Sequence, residues 1–81
     1  MLKDRFLDFT VFFQPAEEGG FTVVVPALPG CITEGDSLQE ARAMAIDAIE
    51  CYLGSLKKDG EEIPTESDSF IGKVRIDMET A

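Results

Sequence analysis

Apolar and polar positions alternate through residues 5–14. Leu7, Phe9, Val11 and Phe13 recur at every second position, with Asp8, Thr10 and Phe12 between them. A period of two predicts a strand with one strongly apolar face and one mixed face. Residues 15–20, Pro-Ala-Glu-Glu-Gly-Gly, read as a reversal, because its glycines can take positive φ. Residues 21–25 are β-branched and aromatic and read as a second strand. Phe21, Val23 and Val25 lie on one face, Thr22 and Val24 on the other. Pro26 cannot donate to a ladder and closes this strand. Leu28-Pro29-Gly30-Cys31 predicts a type II turn, with proline presetting the first corner and glycine taking positive φ at the second. Residues 31–33 then return as a short third strand, and Gly35-Asp36-Ser37 delivers the chain to a helix.

From residue 37 the period changes. Leu38, Ala41, Ala45, Ala48, Ile49, Tyr52, Leu53 and Leu56 form one stripe at helical spacing. Ser37 with Glu40 three residues on is a capping-box signature, which predicts a helix over residues 37–58. Lys57 and Lys58 suit the negative end of its dipole, and Gly60 can stop it. Residues 61–69 are polar, include Pro64, and read as a connection. In residues 70–78, Phe70, Val74, Ile76 and Met78 are in phase, with Lys73, Arg75 and Asp77 on the alternate positions. That pattern predicts a last strand.

The predicted order is β-β-β-α-β, an α+β fold. Three strands pair as an antiparallel meander. A right-handed crossover through the helix would return the last strand beside the first and parallel to it. The expectation is one domain over residues 1–81: a four-stranded mixed sheet of order 3-2-1-4 with one helix on one face.

Composition narrows the function classes. Eighty-one residues hold one modest core. Sixteen acidic residues against seven basic ones give a net charge of −9. This argues against a phosphate-binding surface, which rests on Lys and Arg, so no direct nucleic-acid contact is expected. It suits a basic partner or plain solubility. Lys3, Asp4, Arg5 and Asp8 interrupt the N-terminus, so no signal peptide is expected, and no apolar run approaches the roughly 20 residues of a membrane span. Cys31 and Cys51 are far apart in a chain with no histidine. They read as reduced, buried thiols of a cytoplasmic protein. No disulfide, metal or cofactor is expected.

The chain offers little catalytic machinery. No histidine is present to activate Cys31 or Cys51. Gly19-Gly20 lacks the context of a phosphate loop and reads as a turn. Asp8, Asp47 or Glu50, and Asp77 superficially match the carboxylates of a two-metal nuclease. Asp8 and Asp77 fall on strand faces away from the expected core, however, and Asp47 lies nearly opposite the helix stripe. They are not expected to converge.

The series Glu-Glu-Gly-Gly-Phe, Pro-x-Leu-Pro-Gly-Cys-x-Thr-x-Gly-Asp, Ser-x-x-Glu-Ala and Asp59-Gly60-x-x-Ile63-Pro64 resembles the HicB antitoxin family over residues 6–64. The resemblance implies a reduced ribonuclease H-like sheet. It also implies a non-enzymatic module that binds a HicA toxin, a small basic ribonuclease with a catalytic histidine, and covers its active site. Two positions depart from the family pattern. Ala27 stands where an acidic residue is frequent, and Met44 where an asparagine is common. The sequence ends after the last predicted strand, so the operator binding supplied in many members by a further domain is not expected.

Loop position makes Glu17, Glu18, Glu34 and Asp36 the candidates for steering a basic partner. Phe12, Val24 and Ile71, on the sheet face without a helix, are the candidates for self-association into a homo-oligomer. The alternative readings are a stand-alone self-associating domain with no toxin partner, and a small metal-dependent nuclease.

Overall fold

The computed structural model describes residues 6–66 and 70–79. Its elements are β1 (Phe12–Pro15), β2 (Phe21–Val24), β3 (Ile32–Gly35) and α1 (Leu38–Lys58). The strands form an antiparallel sheet of order β1-β2-β3. Phe12 faces Val24 and Pro15 faces Phe21 in the first pair; Val24 faces Ile32 and Phe21 faces Gly35 in the second.

Each reversal follows from its residues. Ala16 and Gly20 bracket the β1–β2 turn with bonds from the Ala16 N–H to the Gly20 oxygen and from the Gly19 N–H to the Ala16 oxygen, both 3.0 Å. Between β2 and β3 the chain makes two successive turns. The Leu28 N–H donates to the Val25 oxygen at 3.0 Å, and the Cys31 N–H to the Leu28 oxygen at 2.9 Å. Gly30 has φ +84°, the second corner that a Pro-Gly type II turn requires.

The helix is capped at both ends. The Glu40 N–H donates to Ser37 Oγ at 3.0 Å. The Glu40 carboxylate accepts from the N–H of Asp36, one residue upstream of the usual capping-box partner. At the other end the Gly60 N–H bonds the Lys57 oxygen and the Glu61 N–H bonds the Leu56 oxygen. With Gly60 at φ +72°, this is a Schellman motif.

One face of the sheet packs on α1. Val23, Ala41 and Ala45 are buried together, with Val11, Phe13 and Phe21 against them. Val25, Leu28 and Cys31 form the second part of the core beneath Phe9, Ala48, Ile49, Tyr52 and Leu53. The alanines bring the helix close. A Cβ on Gly35 would stand 2.5 Å from the Ala41 nitrogen, so glycine is required there for the helix to start against the sheet. Leu38 belongs to the helical stripe by spacing, but it lies in the first turn and is half exposed.

Among the described residues the four-stranded sheet of order 3-2-1-4 does not form, and with it goes the expected partial ribonuclease H-like sheet. The sheet has three strands, and residues 70–77 adopt no strand. Two physical reasons are visible. The predicted first strand joins the ladder only from Phe12; residues 6–11 are unladdered, and residue 5 lies outside the described residues. Just before β1, the Thr10 N–H donates to Glu66 Oε2 at 2.6 Å and Thr10 Oγ1 donates to Glu66 Oε1 at 2.9 Å. Gly72 further weakens the tail as a strand.

Candidate functional site

The register collects the four predicted acidic residues at one end of the sheet. Pro15, Phe21 and Gly35 are partners across the three strands, so the 16–20 turn and the β3–α1 junction lie side by side. Gly20 makes the contact: a Cβ there would meet the Gly35 oxygen at 2.6 Å and the Asp36 Cα at 3.2 Å. Glu17 and Glu18 are exposed on the turn, Glu34 on β3 opposite Thr22, and Asp36 at the junction. The Asp36 backbone is held by Glu40, which leaves the Asp36 carboxylate outside that bond. The end of the sheet thus presents negative side chains on a tightly tied backbone. Such a surface attracts cationic groups over a distance set by salt screening.

The predicted self-association residues lie on the face away from α1. Phe12 and Val24 are cross-strand partners, and Ile71 shares a shallow cavity with Phe12, Thr10, Pro26 and Phe70. Ile32, the Val24 partner on β3, extends this apolar face and is 62% exposed. Its alternation in the short third strand was the available signal.

A second feature escaped the sequence reading. A groove of about 600 Å³ runs between the flank of the first strand and α1. Leu7, Phe9, Val11 and Phe13 form one wall; Ala45, Ile46, Ile49 and Leu53 form the other, with Asp8, Arg42 and Glu50 at the polar positions. Ile46 is exposed and sits beside the counted stripe, one residue after Ala45 and three before Ile49. That spacing was the signal.

The catalytic alternatives find no assembled site among the described residues. Asp8 and Glu50 line the same groove; Asp47 and Asp77 do not line it, and no group of three potential metal ligands stands together. The Asp77 carboxylate accepts from the Glu79 N–H. Cys31 is buried and free, but Cys51 is exposed, which corrects the reading of both thiols as buried. Burial pushes the Cys31 thiol above its ordinary value, and the nearby Cys51 adds to the effect. Cys31 therefore stays protonated at neutral pH and is a poor nucleophile. No helix among the described residues is long and apolar enough to cross a membrane.

These features define a small α+β module with an acidic sheet end and an apolar groove. The chain belongs to the HicB-like antitoxin family of bacterial toxin–antitoxin systems, whose family model matches residues 9–79. It is 43% identical over 61 residues to the UPF0150 protein Ta0767 of Thermoplasma acidophilum, covering 75% of this chain and 88% of that one. A UPF0150 protein of Archaeoglobus fulgidus is 35% identical over 74 residues, 91% of this chain and 99% of that protein. Antitoxin HicB 1 of Photorhabdus laumondii is 39% identical over 56 residues, 69% of this chain. The match spans only 36% of that antitoxin's length. Family membership points to a regulatory rather than a catalytic role.

Proposed function

We propose that this chain is an antitoxin domain that binds a small, basic HicA-type ribonuclease and neutralises it by covering its active site. The observation that carries the reading is the gathering of Glu17, Glu18, Glu34 and Asp36 at one end of a sheet, in a chain of net charge −9 from this family. A basic ribonuclease needs cationic side chains to hold RNA phosphates. The acidic end offers carboxylates in place of those phosphates. Rim charges of this kind act mainly on the association rate.

The test mixes the purified chain with the candidate toxin and follows RNA cleavage and association rate across ionic strength. Cleavage falls as the chain reaches equivalence. Neutralising all four acids slows association most at low salt and leaves the helix signal unchanged. Undiminished cleavage with the chain in excess removes the antitoxin reading for that pair. An association rate that ignores both salt and the four substitutions removes the acidic end as the steering surface. The apolar face around Phe12, Val24 and Ile71 is proposed as a surface for self-association, with loss of oligomer in Phe12→Ser as its measure.

A further inference from the structure

The outer edge of β3 is open. β3 is an end strand of the sheet, so one side of its backbone meets β2 and the other meets no strand. In an antiparallel pair, successive residues turn their backbone groups alternately toward the partner strand and away from it. The Val25 N–H donates to the Cys31 oxygen at 3.1 Å, and Thr33 and Gly35 face Val23 and Phe21 in the same phase. Residues 31, 33 and 35 are therefore engaged with β2, while Ile32 and Glu34 turn their N–H and carbonyl groups outward. Among the described residues these outward groups have no hydrogen-bond partner. Both residues are exposed. The next outward donor, the Asp36 N–H, is held by the Glu40 carboxylate, which ends the open stretch.

The opposite edge is closed by its sequence. Thr22 and Val24 turn away from β3 and toward Gln14 and Phe12, so the outward residues of β1 are Phe13 and Pro15. Pro15 has no N–H to offer, a common way of blunting an edge. β3, Ile-Thr-Glu-Gly, contains neither proline nor lysine.

The side chains along the open edge specify what it can take. Ile32 and Glu34 are two residues apart, so they share the face away from α1 at a spacing of about 7 Å. A strand laid beside β3 sets one side chain opposite each. Cross-strand pairing favours an apolar residue opposite Ile32 and a cation opposite Glu34. Glu17, Glu18 and Asp36 lie at the same end of the sheet and strengthen the preference for positive charge. A second copy of this chain fits poorly. Its β3 brings no cation, and it carries the same net charge of −9.

The geometry points to β3 as the edge on which an extended segment of the basic toxin adds as a further strand, with an apolar residue opposite Ile32 and a lysine or arginine opposite Glu34. This rests on the antitoxin reading and names the contact through which the toxin is held. In such strand addition the main-chain bonds supply affinity and the alternate side chains supply selectivity.

The full chain is mixed with the candidate HicA-type toxin, and amide hydrogen exchange is followed residue by residue with and without it. The Ile32 and Glu34 amides exchange rapidly in the free chain and about tenfold or more slowly in the complex. Thr33, whose N–H already faces β2, is the internal reference. Ile32→Pro removes an outward N–H that the β2 ladder does not use, so the far-UV circular dichroism is unchanged. Ile32→Ala keeps that N–H. The proline variant binds the toxin about tenfold or more weakly than the alanine variant. A complex in which Ile32 and Glu34 exchange as in the free chain overturns the edge contact and leaves the antitoxin reading standing. So does a folded Ile32→Pro that binds as tightly as Ile32→Ala. If Ile32→Pro does not fold, the exchange of the wild type decides alone. No complex at all overturns both readings.

Discussion

Gly20→Ala tests whether the acidic end is a packed unit or an open turn. Gly20 has φ +75°, and a Cβ there would stand 2.6 Å from the Gly35 oxygen. Gly60 is the internal reference: its φ is +72°, and nothing lies within 4 Å of its would-be Cβ. An alanine at either site carries the left-handed backbone cost of about 1–2 kcal/mol. At Gly60 that is the whole effect. At Gly20 the methyl must also push back the Gly35 backbone, which is paired to Phe21 and abuts the first turn of α1. Forced shifts of that kind cost about 1–3 kcal/mol. The expected losses are about 1–2 kcal/mol for Gly60→Ala and about 2–5 kcal/mol for Gly20→Ala. A chain of this length has about 4–12 kcal/mol in total, so the second variant approaches global unfolding. Urea denaturation followed by far-UV circular dichroism gives both numbers, provided the two variants share one slope. A Gly20→Ala loss within about half a kcal/mol of the Gly60→Ala loss refutes the close packing of the turn on Gly35.

Four further outcomes follow from single residues. Ser37→Ala removes the bond to the Glu40 N–H and costs about 1 kcal/mol; an unchanged denaturation midpoint would mean that the cap contributes nothing. Glu66→Ala frees both Thr10 donors, costs about 1.5–3 kcal/mol, and accelerates hydrogen exchange at the Thr10 amide, while exchange as slow as in the wild type would refute the tie. The thiols differ in kind: a disulfide reagent labels exposed Cys51 in the folded chain and buried Cys31 only on unfolding. The raised Cys31 value also fixes the sign of one alkaline effect. The unfolded chain releases the thiol proton first, so this contribution is intact below the ordinary value of 9.0 and declines as pH rises through the folded value. Cys31→Ala removes that decline, and an identical pH profile in the variant would refute the assignment.

Local structure was legible wherever one residue type has one conformational use. Pro29-Gly30 specifies its turn, Ser37 its cap, and the alanines at 41 and 45 the close approach of the helix. Alternation told which residues share a face but not which strand they meet. Residues 70–78 therefore read as a fourth strand, although no ladder forms there. The carboxylate that ties the connection to Thr10 is Glu66, and nothing in its neighbours distinguishes it from Glu61 or Glu62. Loop chemistry exposed the four acids as candidates, whereas their gathering at one end is a property of register. The groove was missed because Ile46 falls just outside the stripe that α1 buries.

With no fourth strand among the described residues, residues 7–13 keep an apolar wall that faces α1 across the groove. The surface that remains is read by side chains rather than by a ladder. It shares no residue with the acidic end formed by Glu17, Glu18, Glu34 and Asp36. The groove therefore offers mainly apolar burial and the acidic end offers charge, so added salt weakens attraction at the acidic end and spares the apolar wall.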